Sequence, residues 1–168
     1  MKKSIRDQIP DRGGFYYSNE LYLSKAYQSL TPAARNLLHS LLGELKYRYI
    51  KRSTKKQRKD YQNNGSVSFT AIHFRALYGS CSQTYLSARN KLIEVGLIDQ
   101  IHRGGSVRGD RATYKVLCVD GVRIDFQRWR QYPEKNWSNK VAIYRNNSVG
   151  KKTRWKKGQS GRGKIHPK

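Results

Sequence analysis

Hydrogen-bonding side chains suited to nucleobase edges are concentrated in one short stretch of the chain. Gln and Asn can pair with adenine through two hydrogen bonds, and Ser or Thr hydroxyls can serve several bases. The candidates for base contacts are Ser82, Gln83, Thr84, Tyr85, Ser87 and Asn90. Arg89 and Lys91 lie in the same stretch and are expected to reach phosphates. For Tyr85, packing against a neighbouring strand is an equally open role.

Two further segments supply cations. Arg103, Arg108 and Arg111 lie in a Gly-rich segment, where they suit phosphate contacts or insertion into a minor groove. The segment from Lys46 to Lys59 carries eight basic residues and no acidic one. Its candidates for phosphate contacts are Lys51, Arg52, Lys55, Lys56, Arg58 and Lys59. The alternative for this segment is a solvated helix end followed by a flexible connector.

The C-terminal segment mixes cations with aromatic residues. After Glu134 the chain has no acidic residue, and its last 34 residues hold 11 Lys or Arg. The candidates here are Lys151, Lys152, Arg154, Trp155, Lys156 and Lys157. Such a mixture suits phosphate neutralisation together with stacking on unpaired bases. An electrostatic tether for duplex DNA is an equally open interpretation.

The overall charge predicts an anionic partner. The chain has 168 residues, with 35 Lys and Arg against 11 Asp and Glu, a net charge of +24 and a pI near 10.3. That much charge repels itself in a compact state, so an anionic partner is the economical explanation. Nucleic acid is the first candidate, with duplex DNA preferred and RNA or a single strand second. A homodimer or a larger nucleoprotein assembly is also open.

Catalytic and membrane signatures are weak or absent in the sequence. The four histidines show no metal-ligand spacing, and no Gly-rich loop ends in Gly-Lys-Ser or Gly-Lys-Thr. Asp120 and Asp125 are the nearest approach to a nuclease pair, but no Lys follows at a motif spacing. We therefore expect no enzymatic activity, cofactor or metal. With two cysteines and no long apolar run, the sequence predicts a cytoplasmic protein that does not enter membranes.

The first elements that would position these residues are helical. Aromatic and apolar residues between Phe15 and Leu30 predict a lead-in, either a short helix or an extended segment, that packs on the first main helix. Thr31-Pro32 starts that helix, and the helix is free to continue through Tyr49. Its apolar stripe, expected in the core, consists of Leu37, Leu38, Leu41, Leu42 and Leu45.

The following stretch predicts a strand, two helices and two strands. After a strand at residues 67–69, Thr70 caps a helix from Ala71 to Tyr78, whose predicted buried face is Ile72, Ala76 and Leu77. Gly79 ends it, and Ser80 with Gln83 form a capping box that starts a helix reaching about Val95. Strands at residues 97–101 and 112–119 enclose the arginine loop, and residues 122–126 predict a further strand.

Two segments resemble a known group of proteins. Leu23-Ser24-Lys25-Ala26-Tyr27-Gln28-Ser29-Leu30-Thr31-Pro32-Ala33-Ala34-Arg35 and Ala88-Arg89-Asn90-Lys91-Leu92-Ile93-Glu94-Val95-Gly96-Leu97-Ile98 resemble the leader and recognition helix of winged helix-turn-helix proteins of plasmids, phages and integrated elements. The resemblance covers residues 15–119 and implies a recognition helix followed by a wing. The longer basic connector and the C-terminal tail are departures from this group.

Together these features predict an α+β winged helix-turn-helix: a helical lead-in, a three-helix core, a β-hairpin wing and a basic flexible tail. We expect an arm at residues 1–14, a domain at 15–126 with a basic connector at 46–66, and a disordered tail at 127–168. The leading hypothesis is a duplex DNA-binding protein of a mobile element, acting in replication or transcription control. The alternative is a structural subunit of a ribonucleoprotein or larger complex that binds RNA or single strands.

Overall fold

The structure, a computed structural model, describes residues 17–51, 57–105 and 109–134. Within these ranges the chain has an α+β architecture of helices and small antiparallel hairpins. The helices are α1 (Asn19–Leu23), α2 (Lys25–Gln28), α3 (Pro32–Gly43), α4 (Ala71–Tyr78) and α5 (Ser82–Glu94). The strands are β1 (Tyr47–Lys51), β2 (Gln57–Tyr61), β3 (Ile98–His102) and β4 (Thr113–Val116), and two 3₁₀ turns span Ile124–Phe126 and Arg128–Gln131. The predicted arm at 1–14 lies outside the described residues.

The packed lead-in and the start of α3 form as predicted. Thr31 caps α3 by accepting a hydrogen bond from the Ala34 amide at 3.3 Å, and Pro32 occupies the first helical turn. The predicted leucine stripe is in the core: Leu37, Leu38, Leu41 and Leu45 are buried, and Leu42 packs against them. From the lead-in, Leu21, Ala26, Tyr27 and Leu30 complete this part of the core.

Helix α4 has the predicted bounds and only part of the predicted buried face. Phe74 is fully buried and its ring lies 5.8 Å from that of Tyr85. Ile72 is 65% exposed and Ala76 is exposed, so the prediction that they line the core was wrong. Leu77, the third predicted residue, is half-buried and packs against the core, as does Ala71. The buried face of α4 is therefore formed by Ala71, Phe74 and Leu77 at helical spacing.

Helix α5 starts without the predicted capping box. Cys81 is the N-cap residue and its side chain makes no capping hydrogen bond, while the Ser80 hydroxyl bonds the Tyr78 carbonyl at 3.4 Å. Gly79 ends α4 with φ at +67°, a conformation that glycine adopts at low cost. The N-cap of α5 therefore lies one residue later than predicted, at Cys81 and not at Ser80. Gln83 is exposed on the surface of the helix.

Strands β3 and β4 form an antiparallel hairpin that a third segment extends. Ile98 pairs with Val116, and the register shifts between Gln100 and His102. Val67 bridges to Tyr114, whose amide donates to the Val67 carbonyl at 2.8 Å. The strand predicted at residues 67–69 is therefore present as a single bridge.

The basic segment after α3 folds as a β-hairpin, so the prediction of a continuing helix with a loose connector was wrong. Strands β1 and β2 pair in antiparallel register, with Tyr47 opposite Tyr61 and Tyr49 opposite Lys59. Helix α3 ends at Gly43, a poor helix former. The alternating Tyr-Arg-Tyr-Ile that follows has the period and residue types of a strand.

The end of the described chain is also folded. Residues 122–126 form a 3₁₀ turn in place of the predicted strand. Trp129 is 3% exposed in the core cluster, Arg128 pairs with Asp99 and Arg130 pairs with Glu20. The predicted tail boundary at residue 127 was therefore too early, because the buried Trp129 extends the folded part to at least Glu134. In the described part of the chain, no helix is long and apolar enough to cross a membrane.

Candidate nucleic-acid interface

Helix α5 has one apolar face in the core and one polar face in solvent. Ala88, Leu92 and Ile93 are buried and pack in the core that also holds α3. Opposite them, Gln83 and Ser87 are exposed one helical turn apart, and Asn90 follows on the same face, half-buried. We call Gln83, Ser87 and Asn90 the polar stripe.

The first turn of α5 also carries Ser82, Thr84 and Cys81. Ser82 is exposed, whereas Thr84 is half-buried and its hydroxyl lies 3.2 Å from the Cys81 thiol. The Thr84 hydroxyl, which contacts the exposed Cys81 thiol, is the main cause that lowers the pKa of that thiol. This helix start combines hydrogen-bonding groups with an accessible thiol that ionises readily.

Tyr85 does not reach the surface, so its predicted contact with a nucleotide is excluded by burial. Its hydroxyl donates to the Phe69 carbonyl at 2.7 Å and lies 3.1 Å from the Tyr114 hydroxyl. Burial, and then the neighbouring Tyr114, raise the pKa of Tyr85 far above its ordinary value. Packing against a strand, the other role left open for this residue, is what the structure shows: Tyr85 joins α5 to β4.

Arg89 is also buried, at 6% exposure, which contradicts its expected phosphate contact. Its Nε and Nη2 atoms donate to Asn90 Oδ1 at 3.3 and 3.0 Å. A planar guanidinium that holds a neighbouring amide in this way restricts its orientation. Arg89 therefore positions Asn90 on the polar stripe.

Lys91, the second predicted phosphate contact of α5, is half-buried and paired. Its Nζ lies 2.8 Å from Glu94 Oε1 and 5.6 Å from the centre of the Tyr132 ring. Contacts with Glu94 and Tyr132 raise the pKa of Lys91 although its burial alone would lower it. In α5, all of whose residues the structure describes, one cation is thus buried and the other is neutralised by Glu94.

The loop between β3 and β4 is closed at its base. His102 Nε2 lies 2.6 Å from Asp110 Oδ1, and the Gly105 amide donates to the Asp110 carbonyl. Gly104 has φ at +69°, and a Cβ there would lie 2.4 Å from the Ala112 nitrogen, so glycine is required. Arg103 and Arg111 are exposed on the two sides of this base. Arg108 lies outside the described residues.

The basic hairpin carries an aromatic surface that the sequence reasoning missed. Tyr47 is 43% and Tyr49 57% exposed, and both share one face of the hairpin with Lys59 and Tyr61. Lys59 Nζ lies 4.4 Å from the centre of the Tyr47 ring. The available signal was the alternation of Tyr with other residues, which the assumption of a continuing helix concealed.

The remaining predicted contacts are placed in part. Lys51 and Arg58 belong to β1 and β2 through their backbones. The predicted residues Arg52, Lys55 and Lys56 and the tail residues Lys151, Lys152, Arg154, Trp155, Lys156 and Lys157 lie outside the described ranges. No protein family, curated protein or solved structure matches this chain.

Proposed function

We propose that the chain is a duplex DNA-binding protein of the winged helix-turn-helix type. In this proposal α4 and α5 form the helix-turn-helix, α3 supports α5 from behind, and the β3–β4 hairpin is the wing. The Val67 bridge to Tyr114 supports the assignment, because it adds the short third strand beside the wing. The resemblance to proteins of plasmids, phages and integrated elements favours a role in replication or transcription control of a mobile element.

The polar stripe of α5 is the observation that carries this proposal. Recognition helices place short polar side chains from their first turns against base edges in the major groove. Gln83 and Ser87 occupy those positions and are exposed, while the opposite face is held in the core. The amide and hydroxyl groups can donate and accept hydrogen bonds, as readout of a base pair requires.

The cations that would neutralise phosphates lie outside α5. With Arg89 buried and Lys91 paired to Glu94, we assign phosphate contacts to Arg103 and Arg111, together with the basic hairpin and the C-terminal segment. Phosphate contacts set affinity and register, whereas base contacts set specificity. The proposal therefore separates the two functions between different parts of the chain.

Binding of the full chain to duplexes selected from a random library, followed over a range of salt concentrations, tests the proposal. We expect log K to fall with log salt by about 0.9 for each phosphate neutralised. Changing Arg103 and Arg111 together to Gln should reduce that slope by about 2. Gln131→Ala, an exposed change away from α5 and the wing, is the matched control and should alter neither affinity nor slope.

Specificity is measured separately with Gln83→Ala and Ser87→Ala combined. This variant should lose about 1 to 3 kcal/mol of preference for the selected site over random duplex for each base contact removed, with an unchanged salt slope. An affinity that hardly depends on salt would contradict the proposal. So would displacement of duplex DNA by structured RNA at equal salt, which would favour a ribonucleoprotein subunit instead.

A further inference from the structure

One face of the β1–β2 hairpin carries more exposed aromatic surface than the stability of the hairpin requires. We call Tyr47, Tyr49, Lys59 and Tyr61 the tyrosine face. The Tyr47 ring meets those of Tyr49 and Tyr61 edge-on, with centroids 5.5 and 5.9 Å apart. Cross-strand aromatic pairs stabilise a hairpin, and the pair of Tyr47 with Tyr61 serves that purpose. Tyr49, at 57% exposure, keeps most of its ring in solvent.

The hairpin is anchored at its base, so the tyrosine face has a defined place in the molecule. Asn63 Nδ2 donates to the Glu44 carbonyl at 2.9 Å, and the Lys46 amide donates to Asn63 Oδ1 at 2.7 Å. The Gln62 amide donates to the Lys46 carbonyl at 2.9 Å. An isolated two-stranded hairpin is marginally stable in water, and these bonds tie this one to the end of α3.

A cavity of about 390 Å³ lies under the tyrosine face. Tyr49, Lys59 and Tyr61 form one wall of the cavity, and Leu21 of α1 and Leu42 of α3 contribute to the rest of its lining. Its volume is within the range of small-ligand pockets, roughly 300 to 1,000 Å³. Stacking surfaces and apolar walls at this size suit a flat aromatic group.

The polar groups of the cavity suit a nucleotide. Lys59 supplies a cation, and the carboxylate of Asp120 can accept a hydrogen bond from a ring N–H, as in thymine and uracil, or from an exocyclic amino group of a base. Burial, and after it the Asp120 carboxylate, raise the pKa of Tyr61, so its hydroxyl stays protonated and available as a donor. Aromatic rings that carry successive bases beside a cationic backbone track are the usual means of binding single strands.

Charge selects nucleic acid over a protein as the occupant. The stretch from Lys46 to Lys59 holds eight cations and no acidic residue, and Asp60 pairs with Arg48. A protein partner would need a dense acidic surface and would not require stacked rings beside the cations. A polynucleotide supplies both the negative charge and the flat bases.

We propose that the tyrosine face and the cavity beneath it bind an unpaired base of a single-stranded nucleic acid. This site is separate from the polar stripe of α5 and does not depend on duplex binding there. A protein with both surfaces would hold a duplex and an adjacent unpaired strand together.

Fluorescence anisotropy of the full chain with a labelled oligothymidylate tests this site. Tyr49→Ala should weaken single-strand binding about 5- to 150-fold, the range for losing one base stack, and leave duplex binding unchanged. Tyr49→Phe keeps the ring and should keep the affinity. Ile50→Ala, on the opposite face of the same strand at 42% exposure, is the matched control and should bind like the unmodified protein. Thermal unfolding monitors the fold of each variant.

The outcomes separate this site from the duplex surface. Combined Gln83→Ala and Ser87→Ala should leave single-strand affinity unchanged, so either surface can fail without the other. An oligouridylate of equal length shows whether RNA or DNA binds more tightly. A loss of affinity in Tyr49→Ala for either single strand, with duplex affinity unchanged, supports the site. Unchanged single-strand affinity in Tyr49→Ala would overturn it, leaving the face to a protein partner. Equal losses in Tyr49→Ala and Ile50→Ala would also overturn it, as would equal losses for single strand and duplex.

Discussion

At the residue scale, burial decides which side chains of α5 can act on a partner. Gln83 and Arg89 lie within two turns of each other, and the neutral residue is exposed while the cation is buried. Arg89 is buried and donates hydrogen bonds to Asn90, so it can affect a ligand only through that residue. The same helix therefore presents hydrogen-bonding groups without a strong positive charge, which favours selectivity over affinity.

Alkylation of Cys81 gives a chemical test of the α5 start. Because the pKa of Cys81 is lowered, its thiolate persists to lower pH than that of an ordinary cysteine, and N-ethylmaleimide should still react with it as the pH falls. Burial raises the pKa of Cys118 to about 12, so Cys118 should react far more slowly. Mass spectrometry with a pH series measures both rates.

The Cys81 adduct should block duplex binding while single-strand binding persists. Cys81→Ser should bind duplex normally and become insensitive to the reagent. Duplex affinity that survives full modification of Cys81 would place the recognition surface elsewhere. Equal pH profiles for Cys81 and free cysteine would contradict the assigned pKa shift.

Tyr85→Phe tests the buried connection between α5 and β4. It removes the donor to the Phe69 carbonyl and leaves that acceptor buried, at an expected cost of about 1 to 3 kcal/mol in unfolding free energy. Tyr114→Phe leaves the bond from Tyr85 to Phe69 in place and should cost less, about 0.5 to 1.5 kcal/mol. Denaturant unfolding measures both. Duplex affinity should not change in either variant; a loss in Tyr85→Phe alone would restore a contact role for Tyr85.

At the element scale, two asparagines connect the basic hairpin to the rest of the fold. Asn63 bonds the end of α3, and Asn64 pairs with β4 as a strand residue would: its Nδ2 donates to the Val116 carbonyl at 2.9 Å, and its Oδ1 accepts from the Val116 amide at 2.7 Å. Side-chain amides can replace a missing backbone partner because they carry the same donor and acceptor. The basic hairpin and β4 are thus linked through one turn.

Asn64→Ala should remove that link. Two backbone groups of the buried Val116 would lose their partners, so the unfolding free energy should fall by about 1 to 3 kcal/mol. Amide hydrogen exchange at Val116 should accelerate as well. Gln62→Ala, an exposed neighbour in the same turn, is the control and should change neither measurement. Amide exchange at Val116 that stays slow in Asn64→Ala would show that β4 does not need the two hydrogen bonds from the Asn64 side chain.

At the scale of the whole molecule, the folded part and the excess charge are distributed differently. The core joins the lead-in, the three larger helices, the β3–β4 hairpin and the turn around Trp129. The last 34 residues add 11 cations without any acidic residue. Charge of this kind raises affinity and association rate without reading sequence.

Two truncations distinguish these contributions. A chain that ends at residue 126 lacks the buried Trp129, and its free energy of unfolding should be about 3 to 5 kcal/mol lower than that of the full chain. A chain that ends at residue 134 keeps Trp129 and should retain stability, while its duplex affinity falls and its salt slope decreases by about 0.9 per lost phosphate contact. Equal stability of the two chains would contradict the role of Trp129, and an unchanged salt slope would exclude the tail from binding.

The positive charge and several helix boundaries could be predicted from the sequence. Caps and apolar periodicity are local signals, so the start of α3 at Pro32 and the bounds of α4 could be predicted from neighbouring residues. The β1–β2 hairpin was missed because its strands and a continuing helix compete over the same residues. Pairing across the turn, with Asn63 as anchor, decides between them.

Which polar residues are accessible depends on the tertiary structure. Tyr85 and Arg89 lie at helical spacing from other buried residues of α5. The groups that hold the Tyr85 hydroxyl inside, Phe69 and Tyr114, lie far away in sequence. The polar stripe of α5 and the tyrosine face both emerged in this way, because exposure depends on packing between distant segments. Residue type suggests which chemistry is possible, and packing determines which side chains can perform it.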